Sequence, residues 1–178
     1  MDLSDLVESF GLDGFTIYPR IGEHSTLPAE AAGFLSRVGL PNDDVFLSQT
    51  DPEDEGATCS HHVGAWADRT EKDVPTECRG WLLLGYFPYA VAALDPSDGK
   101  VYSFSDDGEG NPVAIHRDVE SLVRSLLILK KFMREREDDV DLSPDRMKAE
   151  VEAVEPLAFL DEDSPWSHMH FEMSDGIF

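Results

Sequence analysis

Cys59, His61 and His62, with Cys78 further along, are the residues best equipped for chemistry. Thiolate and imidazole can bind zinc, or act together as a nucleophile and its base. Structural zinc sites use C-x2-C or H-x3-5-H pairs, because a short gap lets two ligands converge on one ion. The run here is C-x-H-H, followed by a long gap to a lone cysteine. A zinc nucleobase deaminase needs H-x-E followed by P-C-x-x-C, and neither is present. His168 and His170 flank Met169 and read as solvated or capping residues. Gly108-Glu109-Gly110 lacks the third glycine and the lysine of a phosphate-binding loop. Asp106-Asp107-Gly108-Glu109 lacks the alternating acids and closing glutamate of a calcium loop, and reads as a polar hairpin end. No catalytic, cofactor-binding or metal-ligating residue is therefore expected, and no cofactor. A small hydrolase using Cys59 or the histidine pair is the enzyme class left open, and loss of activity in Cys59→Ala would reveal it.

Charge points elsewhere. The chain carries 37 acidic against 14 basic residues, a formal net charge of −23 over 178 residues. Such a field repels nucleic acid and anionic membranes and speeds encounter with basic partners. Simple solubility or adaptation to high salt would give the same composition. The densest acidic loops are Asp51, Glu53, Asp54 and Glu55, then Asp106, Asp107 and Glu109. Near them in the sequence, Tyr86, Phe87 and Tyr89 cluster at a junction between strands. Aromatic side chains dominate interface hot spots, so these three are candidate anchors for a partner, with the acids as its charged contacts. The N-terminus lacks the basic and apolar regions of a signal peptide, and no apolar run approaches the length of a membrane span. A cytoplasmic protein with reduced thiols is expected.

The elements that position these residues follow from short-range patterns. Trp81 to Phe104 holds three apolar runs punctuated by Gly85, Pro88 and the turn Asp95 to Lys100, which reads as a three-stranded antiparallel meander. Val119, Leu122, Val123, Leu126, Leu127, Leu129 and Met133 share one face of a helix over Asp118 to Arg136. Arg134 to Asp141 reads as a solvated charge run. Helices are also expected over Leu3 to Phe10 and Pro28 to Val38, the latter stopped by Gly39. Ser143-Pro144 and Ser164-Pro165 are N-cap and first-turn pairs that open two further helices. The last of these should turn Trp166, Met169, His170 and Met173 inward. Short strands are expected at Val45 to Leu47 and Val113 to Ile115, and a short strand or extended arm at Phe15 to Tyr18. Gln49 to Glu77 is the least regular stretch, with one more strand expected near Ala57 to Val63. A sheet with a covering helix makes an α+β fold, expected as one domain over 1–178, with 1–27 as an arm and helix and 142–178 as C-terminal helices packed on the same domain.

These motifs resemble a known family in their order. Phe34-Leu35-Ser36-Arg37-Val38-Gly39-Leu40-Pro41 is similar to the FLxxVGLP segment of bacterial SUKH-superfamily immunity proteins. Trp81-Leu82-Leu83-Leu84-Gly85, the hairpin Leu94 to Tyr102 and the helix Val119 to Leu127 follow in family order. The close Trp166, Glu172, Gly176 resembles the W…E…G ending of the fourth SUKH family. The resemblance covers about 30 to 178. It implies a twisted antiparallel sheet flanked by helices and no enzymatic activity. It also implies an immunity role against a toxin of a contact-dependent or secreted polymorphic system, often a nuclease or nucleic-acid deaminase. The partner would then be a basic toxin protein, with no direct contact to nucleic acid or membrane. The alternative within the same fold is a regulatory scaffold. Thr50 to Glu77 departs from the general family pattern.

Overall fold

The computed structural model describes residues 3–18, 27–48, 62–105 and 111–177. Its middle layer is a five-stranded antiparallel sheet. The expected meander, β4 (Leu82–Phe87), β5 (Ala90–Leu94) and β6 (Val101–Ser105), is flanked by β3 (Leu47–Ser48) and β7 (Val113–His116). A two-stranded sheet pairs β1 (Phe15–Thr16) with β2 (Leu40–Pro41). Among the described residues six α-helices surround these: α1 (Leu3–Phe10), α2 (Ala29–Arg37), α3 (Val63–Thr70), α4 (Val119–Asp138), α5 (Pro144–Val154) and α6 (Pro165–Ser174). The fold is α+β.

Both faces of the large sheet are buried, which is why β4 and β5 read as continuous apolar runs rather than as alternating ones. Leu82, Leu84, Phe87, Ala92, Leu94 and Ile115 face one core with Leu122, Leu126 and Leu129 of α4, Met147 and Val151 of α5 and Trp166 of α6. Leu83, Val91, Ala93 and Phe104 face a second core closed by Val63, Trp66 and Ala67 of α3, with Val74, Cys78 and Trp81. Helix α3 falls in the stretch where a strand near Ala57 to Val63 was expected. Residues 57–61 lie outside the described ones, His62 makes an isolated bridge to Leu82, and Val63 opens the helix. Nothing local announces that helix: His62 gives it no side-chain cap, and it ends on Glu71 in the left-handed region at φ 57° instead of on a glycine.

Two glycines fix the chain where backbones meet. Gly39 has φ 78°, and a side chain there would run into the Thr16 carbonyl, so it allows the β1–β2 pairing directly after α2. Gly85 follows the extra residue of a bulge: Leu83 pairs with Ala93 and Gly85 with Ala92, leaving Leu84 as the insertion. The bulge reverses the alternation, so that Phe87 turns to the α4 side and Tyr86 to the α3 side. A Cβ on Gly85 would lie 2.5 Å from the Leu47 oxygen and 2.7 Å from the Phe46 ring. Gly85→Ala is expected to cost about 1–3 kcal/mol through overpacking, read as a lowered urea midpoint with an unchanged slope.

Strand β3 is shorter than expected. Phe46, fully buried, leaves the expected Val45 to Leu47 run and packs edge-on against Phe87, with ring centroids 5.0 Å apart. Helix α4 is capped by Asp118, whose carboxylate accepts from the Ser121 N–H at 2.7 Å. Its far end is exposed from Glu137 to Asp141, as expected of a solvated charge run, while two of its arginines reach back to the fold. Arg134 donates to the Ser9 carbonyl at 2.9 Å and Arg136 to the Met173 carbonyl at 3.0 Å, which ties α4 to α1 and α6.

Candidate binding surface

Of the expected contact residues, Asp51, Glu53, Asp54, Glu55, Asp106, Asp107 and Glu109 lie outside the described residues. The three aromatics are described, and they separate. Phe87 is 4% exposed and packs edge-on against Phe46 and Trp166, so as a surface anchor it is corrected to a core residue. Its assignment from sequence missed the parity change at the Leu84 bulge. Tyr86 is half-buried on the α3 side, where the Arg69 guanidinium donates to its hydroxyl at 3.5 Å. Tyr89, at the β4–β5 turn, is 52% exposed. The neighbouring Glu172 carboxylate of α6, which favours the protonated phenol, pushes its pKa up.

Tyr89 stands at the mouth of a cleft of about 820 Å³ between α6 and the open end of β5, β6 and β7. Asp161, Asp163 and Glu172 line it, and no lysine or arginine of the described residues forms an ion pair with them. The Asp161 turn is held firmly. Its carboxylate accepts from the Asp163 N–H at 2.9 Å and its carbonyl from the Ser167 hydroxyl at 2.8 Å. Exposed His168 is also on the cleft wall. His170, expected to face inward, is half-buried and bonds the Asp145 carboxylate at 2.9 Å.

The wider surface shows where the positive charge is spent. Arg79, Lys100, Arg117, Arg124, Lys130, Lys131 and Arg146 are each within ion-pair distance of a carboxylate of this chain. Arg134 and Arg136 are taken up by backbone carbonyls. The acidic excess therefore stays outward.

The residues considered for chemistry divide between described and undescribed positions. Cys59 and His61 lie outside the described residues, and exposed His62 precedes α3. Cys78 is buried, and burial, followed by the charges of Glu77 and Asp95, pushes its thiol pKa up, away from the thiolate a nucleophile or metal ligand requires. Among the described residues no group of three or more His, Cys, Asp or Glu could hold a metal ion, and no helix is long and apolar enough to cross a membrane.

A buried polar relay went unread in the sequence. The Trp166 indole, a donor only, bonds His116 Nε2 at 2.9 Å, which places the imidazole proton on Nδ1. Nδ1 lies 3.5 Å from the Ser121 hydroxyl, which donates to the Asp118 carbonyl at 2.8 Å. The signal available was Trp166 itself, since a buried indole must find an acceptor. The relay joins α6, β7 and α4, and it keeps His116 neutral by burial.

A family model described as SUKH-4 immunity protein matches residues 1–172. The chain belongs to the SUKH-4 immunity protein family. Immunity proteins of this kind bind a toxin and are not enzymes, so the role of this SUKH-4 member is neutralisation of a toxin partner. The family's FLxxVGLP segment corresponds here to the end of α2, the left-handed Gly39 and strand β2, and its closing tryptophan is the indole of the buried relay. No curated protein and no solved structure matches the chain.

Proposed function

We propose that this immunity protein neutralises a toxin acting on nucleic acid, a nuclease or a nucleic-acid deaminase, by laying an acidic surface over the toxin's basic substrate cleft. One observation carries this reading: a net charge of −23, with seven of the described lysines and arginines each already beside a carboxylate of the chain itself. A protein that grips nucleic acid neutralises phosphates with lysine and arginine, so its cleft is basic wherever its chemistry is done. An acidic chain is steered to such a cleft at rates far above those of a neutral partner. Occupying the cleft excludes substrate without any reaction, in keeping with the absence of enzymatic activity in the family. The toxin is then basic, and the acids at 51–55 and 106–109 are contacts for it alongside Tyr86 and Tyr89.

The test is co-expression of the tagged chain with the toxin gene beside its own, followed by washes of rising salt. The expected result is one basic partner, held stoichiometrically at low salt and released progressively as screening grows. A neutral or acidic partner, or a basic one whose retention ignores salt, contradicts the reading.

A further inference from the structure

We infer that an apolar groove where α1, β1 and the end of α2 meet takes the C-terminal residue of a partner chain, its apolar side chain in the groove and its free carboxylate on Arg37. The inference rests on the immunity reading for the partner's identity, the toxin, and adds a contact to it. The groove has a volume of about 140 Å³. Buried Leu6 and half-buried Phe15 line its inner side, and Val7, Leu12 and Ile17 its rim. Leu12 and Ile17 are 81% and 61% exposed, so two large apolar side chains stand in water beside one concavity. Exposed apolar side chains gathered around a hollow mark a docking site, unlike the same residues scattered singly.

Charge decides what the groove takes. Among the residues lining it Arg37 alone is charged, a cation in a chain dominated by acids. Its Nε donates to the Gly33 carbonyl at 2.9 Å, which holds that edge of the guanidinium on α2. No carboxylate of the described residues lies within ion-pair distance of it, in contrast to Arg79, Arg124 and Arg146. The two terminal nitrogens of a guanidinium form the edge that grips a carboxylate with parallel bonds. An acid that meets Arg37 and also fills the groove carries its apolar group within a few bonds of its carboxylate. A C-terminal residue does so, because side chain and free carboxylate leave the same carbon. Neighbouring residues inside an extended strand do not, because their side chains point to opposite faces. Capture of a terminal carboxylate by fixed donors is a recurring mode of peptide recognition. The acidic field of the chain opposes a carboxylate at long range, so Arg37 supplies register rather than speed.

The test uses the full chain, labelled with nitrogen-15, and three short glycine-serine peptides. One ends in leucine with a free carboxylate, one in leucine amide and one in glycine with a free carboxylate. The leucine acid is expected to shift the amide signals of Val7, Leu12 and Ile17. Amidation, or glycine in place of leucine, should each weaken it about fivefold. Arg37→Gln should bind leucine acid and leucine amide equally, because the carboxylate then meets no cation. Arg124→Gln removes an exposed cation of α4 outside the groove and should keep the preference for the acid. Equal binding of acid and amide by the unmodified chain, loss of the preference in Arg124→Gln, or no shift around the groove overturns the assignment. None of these results touches the occlusion reading, which depends on the captured toxin and its salt response.

Discussion

Trp166→Ala is expected to bring the folded chain close to its unfolding threshold. Trp166 is fully buried and touches Phe87, Phe159 and His116, with ring centroids 5.8, 6.3 and 5.5 Å away. Truncating a buried tryptophan to alanine costs about 3–5 kcal/mol in lost burial and cavity formation. The same change removes the donor to His116 Nε2, leaving a buried acceptor unpaired at a further cost of about 1–3 kcal/mol. The sum is comparable to the whole stability of an ordinary domain, about 5–15 kcal/mol. Trp166→Phe helps to separate the two contributions, since it keeps part of the aromatic contact while losing the N–H and the rest of the bicyclic ring. Urea unfolding should place the phenylalanine variant well above the alanine variant. Equal losses in the two would mean that the ring contributes little beyond its hydrogen bond.

The same relay sets the second large effect, on pH. Burial, with the nearby Arg117 charge, lowers the His116 pKa from 6.5 to about 3. Between those values the folded protein binds fewer protons here than the unfolded chain. The contribution of His116 is therefore complete above pH 6.5 and is lost as pH falls through the window towards 3. At about 1.36 kcal/mol per unit, the loss reaches about 2 kcal/mol by pH 5. Protonation would also turn Nε2 into a donor facing the donor of Trp166. His116→Gln, whose amide oxygen can accept from the indole, should be less stable at neutral pH but lack this slope. Parallel stability curves for the two proteins between pH 8 and pH 5 would contradict the assignment.

What could be read from the sequence was what is decided locally. The caps at Asp118, Ser143 and Ser164 bond backbone N–H groups a few residues away, so a short stretch of residues carries the signal. The meander was legible because its turns carry proline and glycine between apolar runs. What was missed depends on distant contacts. The bulge at Leu84 lies where Phe46, just before β3, packs close over Gly85, and without it Phe87 looks like a neighbour of Tyr86 on a free surface. Helix α3 has no side-chain cap and ends on a glutamate, so its stability comes from Val63, Trp66 and Ala67 packing on the sheet. The carbonyl partners of Arg134 and Arg136 lie far along the chain, so these two anchors within an otherwise exposed run left no local signal. Of the expected contact surface, Tyr89 is exposed and Tyr86 half-buried against the second core, while the cleft beside Tyr89 required α6 to be placed against the sheet. The acids at 161, 163 and 172 are scattered in the sequence and gather only in the fold.

The central claim is that this chain and nucleic acid compete for one cleft of the toxin. The direct measurement is fluorescence anisotropy of a labelled substrate strand held by a catalytically inactive form of the captured toxin, as the immunity protein is added. The account predicts complete displacement at one equivalent, with an apparent affinity that weakens in proportion to the substrate present. A stable ternary complex of toxin, substrate and immunity protein would contradict it.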